Sequence, residues 1–149
     1  MYTGQFYNGD MYGNGVITTT TYTYRGMVKN GFFDGYGKYE NHETLEIYEG
    51  NFKEGMKQGL GRQYRIKKDF YMSEYEGFWT SDKKQGHGKY IEQEKQDSLI
   101  VYIEGIWQDG EIKEITKRVE GSKKQIDLVY QTSFPAKVLK RDNFIWFKI

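Results

Sequence analysis

Several residue types are absent or scarce in this chain, and each shortage excludes a class of protein. Cysteine is missing from the 149 residues, which excludes disulfide scaffolds and thiolate chemistry. Alanine and proline occur once each, as Ala136 and Pro135, and so little alanine is not typical of a helical protein. Two histidines, His42 and His87, are too few for a histidine-based metal cluster. No apolar run reaches the length of about 18 residues that a transmembrane helix needs.

The charges of the chain are almost balanced. There are 22 basic and 21 acidic residues, which gives a formal net charge of +1. A chain with this balance has no general electrostatic attraction to nucleic acid or to an anionic membrane. We therefore expect no nucleic-acid partner. No signal peptide and no membrane-spanning run are visible, so the sequence predicts a cytoplasmic protein that is not secreted.

Glycine and aromatic residues are abundant instead, and they recur at fixed spacing. The chain contains 18 glycines, 14 tyrosines and 9 phenylalanines. In one unit, glycines follow Tyr48 at offsets of 2, 7, 11 and 13 residues, and Phe52 stands at offset 4. The same register starts at Tyr2, Tyr24 and Tyr75, and an incomplete fifth copy starts at Ile103. This regularity indicates a tandem repeat.

Each unit has the pattern of a β-hairpin. Offsets 0, 2 and 4 point to one face of an extended strand, and Asn8-Gly9 and Asn30-Gly31 mark the turn at offsets 6 and 7. Glycine weakens a strand unless a neighbour needs the space, so we expect an aromatic ring to lie over the bare backbone. The sequence predicts an all-β fold, in which about five hairpins form an elongated, twisted antiparallel sheet over residues 1–110. A non-repeat extension follows over residues 111–149.

The repeat units resemble a known family. Residues 48–61 read Tyr-Glu-Gly-Asn-Phe-Lys-Glu-Gly-Met-Lys-Gln-Gly-Leu-Gly, and residues 75–79 read Tyr-Glu-Gly-Phe-Trp, followed by Gly-His-Gly-Lys-Tyr at 86–90. These stretches resemble MORN repeats, the membrane occupation and recognition nexus motif, and the resemblance covers roughly residues 2–110. The Pro-Asp-Gly turn that is usual in the family is absent.

The resemblance implies a non-enzymatic structural protein. MORN proteins include components of the ciliary radial spoke head and of protist cytoskeletal scaffolds. A similar role here implies other protein subunits of a large complex as partners, and the cytoskeleton or the ciliary axoneme as the location. The family also implies an alternative, a module that binds phosphoinositides or a membrane surface.

The basic residues that would serve this alternative occur as dispersed pairs. Lipid recognition usually needs four to eight clustered basic residues, so we expect at most weak contact with anionic lipid. The pairs are Lys67-Lys68, Lys83-Lys84, Lys117-Arg118, Lys123-Lys124 and Lys140-Arg141.

No motif for catalysis or cofactor binding is present in the sequence. Neither histidine belongs to a His-Glu-x-x-His pattern, and there is no Gly-x-Ser-x-Gly elbow. The Gly-x-Gly-Lys strings at 35–38 and 86–89 lack the spacing and the Ser or Thr of a phosphate loop. We therefore predict no catalytic residue, cofactor, metal ion or small-molecule substrate, and no enzyme activity.

Aromatic residues of the repeats are the candidates for partner binding. Aromatic anchors contribute much of the binding energy at interfaces, although the same side chains could form only the core. The six candidates are Tyr24, Tyr48, Phe52, Tyr75, Trp79 and Trp107. The carboxylates at offset 1, Glu49, Glu76 and Glu104, read as a solvated outer face.

The segment after Gly110 departs from the repeat pattern. Residues 111–120 fit either a strand or a short helix, residues 125–130 read as a strand, and Pro135 is placed for a helix start. The chain ends in an apolar stretch. Its residues Phe144, Ile145, Trp146 and Phe147 are predicted either to cap the array or to contact a partner.

Overall fold

The computed structural model describes residues 1–66 and 72–132, which form ten strands and one helix. The elements are β1 (Tyr2–Tyr7), β2 (Asp10–Thr18), β3 (Tyr22–Lys29), β4 (Phe32–Asn41), β5 (Glu46–Lys53), β6 (Met56–Ile66), β7 (Met72–Thr80), β8 (Lys83–Gln93), β9 (Ile100–Gln108), β10 (Glu111–Gly121) and α1 (Lys123–Thr132).

The ten strands form one open antiparallel sheet in the order of the chain, from β1 to β10. Neighbouring strands lie about 4.8 Å apart, so the sheet extends about 43 Å across its strands. The strands form five consecutive hairpins, and each hairpin pairs with the ones before and after it. The prediction of an all-β array of about five hairpins is confirmed.

The five hairpin turns share one backbone conformation. In every copy the residues at offsets 6 and 7 both have positive φ, as in Asn8 (49°) and Gly9 (86°). This is the geometry of the two-residue turn whose twist matches that of paired strands. Asn and Gly adopt it easily, but the third and fourth copies place Glu54 (50°) and Ser81 (47°) at offset 6. The predicted turn positions are confirmed.

A tyrosine ring covers two facing glycines in each of the first four hairpins. In the third, Gly50 pairs with Gly61 across β5 and β6. The ring of Tyr48 lies over both glycines, so that a Cβ at either position would overlap its hydroxyl group. The predicted packing of rings on glycine is therefore present, and it explains why these strand positions carry no side chain.

The register shifts just after the first of these glycines, and the tyrosine hydroxyl compensates for the irregularity. Asn51 has no Cα partner in β6, and its carbonyl accepts a hydrogen bond of 2.9 Å from Tyr48 Oη. The equivalent hydroxyls of the other three hairpins donate to the carbonyls of Gln5, Met27 and Phe78 at 2.7–3.1 Å. Each tyrosine thus supplies a main-chain acceptor with a donor where the ladder is interrupted.

The sheet continues beyond the repeat pattern. Residues 111–121 form β10, which pairs with β9 and completes a fifth hairpin. The suggested boundary between residues 110 and 111 therefore lies in a turn. This hairpin has Ile103 in place of the tyrosine and Thr116 in place of the second glycine, and its register shifts twice.

Residues 125–130 belong to the helix α1, so the prediction of a strand there is wrong. Ile126, Leu128 and Tyr130 alternate like the inward residues of a strand, but Leu128 is exposed. The buried face instead consists of Ile126, Tyr130 and the half-buried Val129, at helical spacing. Ser122 precedes the helix, and its backbone N–H donates to Gln125 Oε1 at 2.9 Å. This is one half of a capping box, a helix signal that the sequence carried.

The helix start suggested near Pro135 and the apolar stretch from Phe144 to Phe147 lie outside the described residues. Within residues 1–66 and 72–132, the structure contains no helix that is long and apolar enough to cross a membrane.

Candidate functional site

The six predicted aromatic residues form one continuous row on the face of the sheet that carries Tyr24, Tyr48 and Tyr75, here called the tyrosine face. Each ring meets the next edge to face, with centroids 5.0–5.4 Å apart and planes at 70–88°. Such pairs stabilise beyond the area that they bury. The order along the row is Tyr24, Phe52, Tyr48, Trp79, Tyr75 and Trp107.

All six side chains are buried, with at most 6% of their surface exposed. They form the core of the sheet, together with Ile17 and Val28. A partner on this face would first meet the half-exposed tyrosines beside the row, Tyr22, Tyr39 and Tyr90. A direct role of the six in partner binding stays a prediction.

The tyrosine hydroxyl groups of the row are held in the neutral form. Burial raises the pKa of Tyr24, Tyr48 and Tyr75 above the ordinary value of 10.0, and the carboxylates of Asp34 and Asp82 raise that of Tyr24 and Tyr48 further. The row is therefore an apolar, uncharged core.

The residue at offset 9 of each repeat decides what lies above the tyrosine ring. In the second repeat this residue is Phe33, whose ring stacks on Tyr24 with centroids 3.8 Å apart and planes at 10°. In the third and fourth repeats the residue is a lysine. Lys57 Nζ lies 5.1 Å from the centroid of Tyr48, and Lys84 Nζ lies 4.9 Å from that of Tyr75. Two cations thus enter the aromatic face, and cation–π attraction favours both positions.

The cation of the third repeat is neutralised within the chain. Lys57 Nζ lies 3.1 Å from Glu46 Oε1, and Arg65 Nη2 lies 2.7 Å from Glu46 Oε2. Burial alone would raise the pKa of Glu46, but the two cations hold it below its ordinary value. Glu46 is therefore ionised at neutral pH and binds both cations.

The cation of the fourth repeat lines a pocket. The ammonium group of Lys84 lies 4.9 Å from the ring centroid of Tyr75 and 5.6 Å from that of Tyr90. Among the described residues, it makes no ion pair or hydrogen bond. The pocket has a volume of about 170 Å³. Its wall consists of Gln63, Tyr64, Arg65, Ser73, Tyr75, Lys84 and Tyr90.

Burial lowers the pKa of Lys84, while Glu46 acts in the opposite direction and the cations of Lys57 and Arg65 lower the pKa further. Three basic groups, Lys57, Arg65 and Lys84, thus lie near the pocket, together with the carboxylates of Glu46 and Glu92. The surroundings of the pocket favour an anion.

The opposite face carries a row of alternating charges across β4 to β10, here called the charge ladder. The Cα partners are Lys38↔Glu49, Glu49↔Arg62, Arg62↔Glu76, Glu76↔Lys89, Lys89↔Glu104 and Glu104↔Lys117. Opposite charges that face each other across strands stabilise the pairing register. We call this side of the sheet the ladder face.

The prediction that the offset-1 carboxylates form a solvated face is wrong for Glu76. Its side chain points to the ladder face as expected, but only 6% of the residue is exposed, and its ladder neighbours Arg62 and Lys89 are buried too. Lys89 Nζ lies 4.2 Å from the ring centroid of Tyr130, because α1 packs on this face. The signal for the ladder was present in the sequence, where a glutamate at offset 1 recurs with a basic residue at offset 14 in the last three repeats.

Large apolar side chains lie exposed on the ladder face near the hairpin turns. They come from the first, second and fourth hairpins, and the rings of Tyr7 and Tyr12 contact each other with centroids 5.7 Å apart. Their exposed fractions are 38–64%. The residues are Tyr7, Tyr12, Met27, Phe32, Tyr36 and Phe78. We call them the exposed apolar strip.

No set of three or more His, Asp or Glu side chains in residues 1–66 and 72–132 is arranged to hold a metal ion.

These features define a class of protein, the tandem β-hairpin repeat protein with a tyrosine-on-glycine core. The model of the MORN repeat family matches residues 2–23, 24–41, 48–67 and 75–91, just over half of the chain. The chain belongs to the MORN repeat family. The fifth hairpin lies outside the matched ranges but continues the same sheet. The repeats of this family are modules for protein or membrane interaction.

Among curated proteins, the chain is similar to Alsin from Mus musculus, Pan troglodytes and Homo sapiens. Each is 28% identical over 138 residues, and the similarity covers 72% of this chain. The chain spans only 8% of the length of these relatives. The similarity therefore concerns a repeat segment and not the whole of Alsin.

Proposed function

We propose that this chain is a non-enzymatic scaffold module that binds other protein subunits within a larger assembly. The observation that carries the proposal is the exposed apolar strip, since three of the first four hairpins expose large apolar side chains on the ladder face and exposed apolar patches mark interaction sites. Aromatic and methionine side chains are enriched at protein interfaces. The first, second and fourth hairpins of the sheet present them over an extended surface.

A protein partner is favoured over a membrane by the distribution of charge. On the ladder face, the charge ladder alternates in sign, so it creates no continuous positive field. On the tyrosine face, three basic groups surround Glu46, which is fewer than the four to eight clustered basic residues of a typical anionic-lipid site. Membrane-surface binding is the second candidate, because MORN repeats serve protein or membrane interaction.

The proposal assigns no catalytic step and no cofactor to the chain. It places the module in the cytoplasm, and the cytoskeleton or the ciliary axoneme is the assembly that we propose first. The support for this location is the resemblance of the repeats to those of radial-spoke-head and cytoskeletal MORN proteins.

The proposal is tested by fractionating a native extract that contains the tagged full chain. We expect the chain to migrate in a large assembly at about 0.15 M salt and to remain there at about 1 M salt, because apolar contacts persist when charges are screened. Migration as a free protein of 17.7 kDa would contradict the proposal. Loss of the assembly at high salt, together with flotation on anionic vesicles, would favour the membrane candidate.

A variant of the exposed apolar strip links this result to the surface. The substitutions Tyr12→Ser and Phe32→Ser remove two exposed side chains, so we expect the fold to be retained and the assembly to be lost. The matched control is Leu128→Ser, which removes an exposed apolar side chain from α1 and leaves the strip intact.

A further inference from the structure

The third and fourth repeats differ at one point on the tyrosine face. Lys57 and Lys84 occupy the same offset, and each ammonium group lies over the tyrosine of its own repeat. In the third repeat, Glu46 stands two residues before Tyr48 and its carboxylate lies 3.1 Å from Lys57 Nζ. In the fourth repeat, the residue two positions before the tyrosine is Ser73. The fourth repeat therefore has the cation without a carboxylate at the position that corresponds to Glu46.

The place of the missing carboxylate is open. Ser73 and Lys84 both line the pocket of about 170 Å³ on the tyrosine face. A water molecule occupies about 30 Å³ in the liquid, so a carboxylate group has room there. The row that contains Glu46, Arg65 and Ser73 continues to Glu92. Glu92 does not line the pocket, and its Oε2 accepts a hydrogen bond of 3.0 Å from Tyr90 Oη.

Two donors in the pocket wall lack an acceptor among the described residues. The Nε atom of Arg65 is buried and has no hydrogen-bond partner there, although Arg65 Nη2 is bound to Glu46 at 2.7 Å. The ammonium group of Lys84 makes no ion pair there. The buried Arg65 Nε is costly without an acceptor, and the half-buried Lys84 lacks a counter-ion among the described residues. A ligand that supplies a negatively charged acceptor therefore gains from both groups.

We propose that this pocket receives the carboxylate of a glutamate or aspartate side chain from a partner protein, and the proposal rests on the scaffold function argued above. The incoming carboxylate takes the place that Glu46 has in the preceding repeat. It accepts hydrogen bonds from Lys84 and Arg65 and lies beside the rings of Tyr75 and Tyr90. An acidic segment of a partner thereby binds to the tyrosine face of the fourth repeat.

A carboxylate fits the pocket better than a phosphate group. The precedent within the chain is a carboxylate held by one lysine and one arginine. The pocket also offers one lysine and one arginine, Lys84 and Arg65. Arg65 is the same arginine that binds Glu46 through its Nη2 atom. A phosphate group carries more charge and more acceptor oxygens, and it usually requires a larger set of donors.

The substitution Ser73→Glu tests the pocket without any partner. It places a carboxylate where Glu46 stands in the third repeat, so we expect an ion pair with Lys84 inside the chain. NMR titration of Lys84 is expected to show a higher pKa than in the wild type, and thermal unfolding a higher Tm. The matched control is Ser73→Gln, which has the same length without the charge and leaves the pKa of Lys84 low. If Ser73→Glu leaves this pKa unchanged, the pocket does not accept a carboxylate and the proposal fails.

Binding of a defined probe tests the ligand class. The probe is a blocked peptide rich in glutamate. Three other ligands serve as comparisons: a peptide of the same length with glutamine in place of glutamate, inorganic phosphate, and phosphatidylserine vesicles. Titration calorimetry with the full chain is expected to show binding of the glutamate peptide only. Loss of one buried charge pair weakens such binding about tenfold or more. Stronger binding of phosphate or vesicles would overturn the choice of a protein carboxylate.

Two variants connect this binding to the pocket. Lys84→Met introduces the residue type that the first repeat has at offset 9, Met11. This variant is expected to weaken peptide binding about tenfold. Ser73→Glu is expected to weaken it as well, because the pocket is then occupied from within. Lys83→Met is the matched control, since Lys83 is exposed and its neighbour Asp109 lies 4.0 Å away at the surface. Equal affinity of Lys84→Met and wild type would overturn the proposal.

The failure of this proposal is distinguishable from that of the scaffold function. If the wild type and Lys84→Met enter the same assembly with equal affinity, the pocket is not the contact and only this proposal fails. If the wild type enters no assembly while the glutamate peptide still binds at Lys84, the scaffold function fails and the carboxylate site stands as a property of the chain.

Discussion

The tyrosine at the start of the third repeat combines three roles in one side chain. Tyr48 covers Gly50 and Gly61, donates a hydrogen bond to the carbonyl of Asn51, and meets Trp79 of the next repeat edge to face. These roles demand a flat ring with a hydroxyl group at its far end, which explains the choice of residue. They also require that the facing strand positions have no side chain.

The fit between tyrosine and glycine is tested by the substitution Gly61→Ala. The added methyl group overlaps the Tyr48 hydroxyl, and the ring cannot move because it is held on both sides by Phe52 and Trp79. We expect the free energy of unfolding to fall by about 3 kcal/mol, measured by urea denaturation.

The control for this substitution is Gly110→Ala in the last hairpin turn. Nothing lies within 4 Å of a Cβ at that position, although its φ is 89°. Only backbone strain then applies, and we expect a loss of about 1 kcal/mol. Equal losses in the two variants would show that the ring does not confine Gly61.

Each of the first four hairpins is built from a turn, a pair of glycines and an interruption of the ladder, so most of its structure is local. The turn sets the register of the two strands, and the register places the glycines opposite each other. The five copies share the turn conformation, although their offset-6 residues differ in how easily they adopt positive φ. Differences in stability between hairpins are expected to follow these residues.

The turn of the third hairpin can be improved by the substitution Glu54→Asn. Glu54 is exposed and has a φ of 50°, a conformation that Asn adopts more easily than Glu. We expect the free energy of unfolding to rise by about 0.5–1 kcal/mol, measured as a higher urea midpoint. The control Glu43→Asn makes the same charge change at an exposed residue where φ is not positive. A similar gain in both variants would point to charge and not to the turn.

At the scale of the whole molecule, the aromatic row and the charge ladder run across the sheet on opposite faces. Each ring of the row bridges two repeats, and each charge of the ladder faces residues of neighbouring strands. The row is apolar and depends on neutral tyrosines. It follows that the stability of the array depends on pH through these tyrosines.

Alkaline pH is expected to destabilise the protein. Burial raises the pKa of Tyr24, Tyr48 and Tyr75 above 10.0 in the folded chain. Above this pH the unfolded chain releases protons that the folded chain still holds. The free energy of unfolding is therefore fully retained below pH 10 and falls above it, by up to about 1.4 kcal/mol per pH unit for each tyrosine. Urea unfolding at a series of pH values measures the slope.

The variant Tyr48→Phe is the control for this pH dependence. It removes one titrating hydroxyl group and its hydrogen bond to Asn51, which costs about 1 kcal/mol at neutral pH. The alkaline slope is expected to become smaller than in the wild type. An unchanged slope would mean that Tyr48 does not contribute to it.

Sequence patterns predicted the parts of the structure that depend on residues within one repeat. The turn at Asn8-Gly9, the facing of Gly50 and Gly61, and the tyrosine over both follow from the two-residue period of a strand and from glycine spacing. The helix at 123–132 was missed because Ile126, Leu128 and Tyr130 also alternate with period two. The capping box at Ser122 favoured the helix, and the packing of Ile126 and Tyr130 on the sheet selected it.

The sequence by itself therefore determined the number of hairpins, their turns and the tyrosine rings over facing glycines, because these features arise from contacts within one repeat. The tertiary structure alone decided which repeat faces which. It joined the rings of separate repeats into one row, left Lys84 without a carboxylate partner among the described residues, and buried Glu76 in the charge ladder. These outcomes depend on the register between hairpins and on the packing of α1, which join residues of separate repeats and are not encoded in the period of any one.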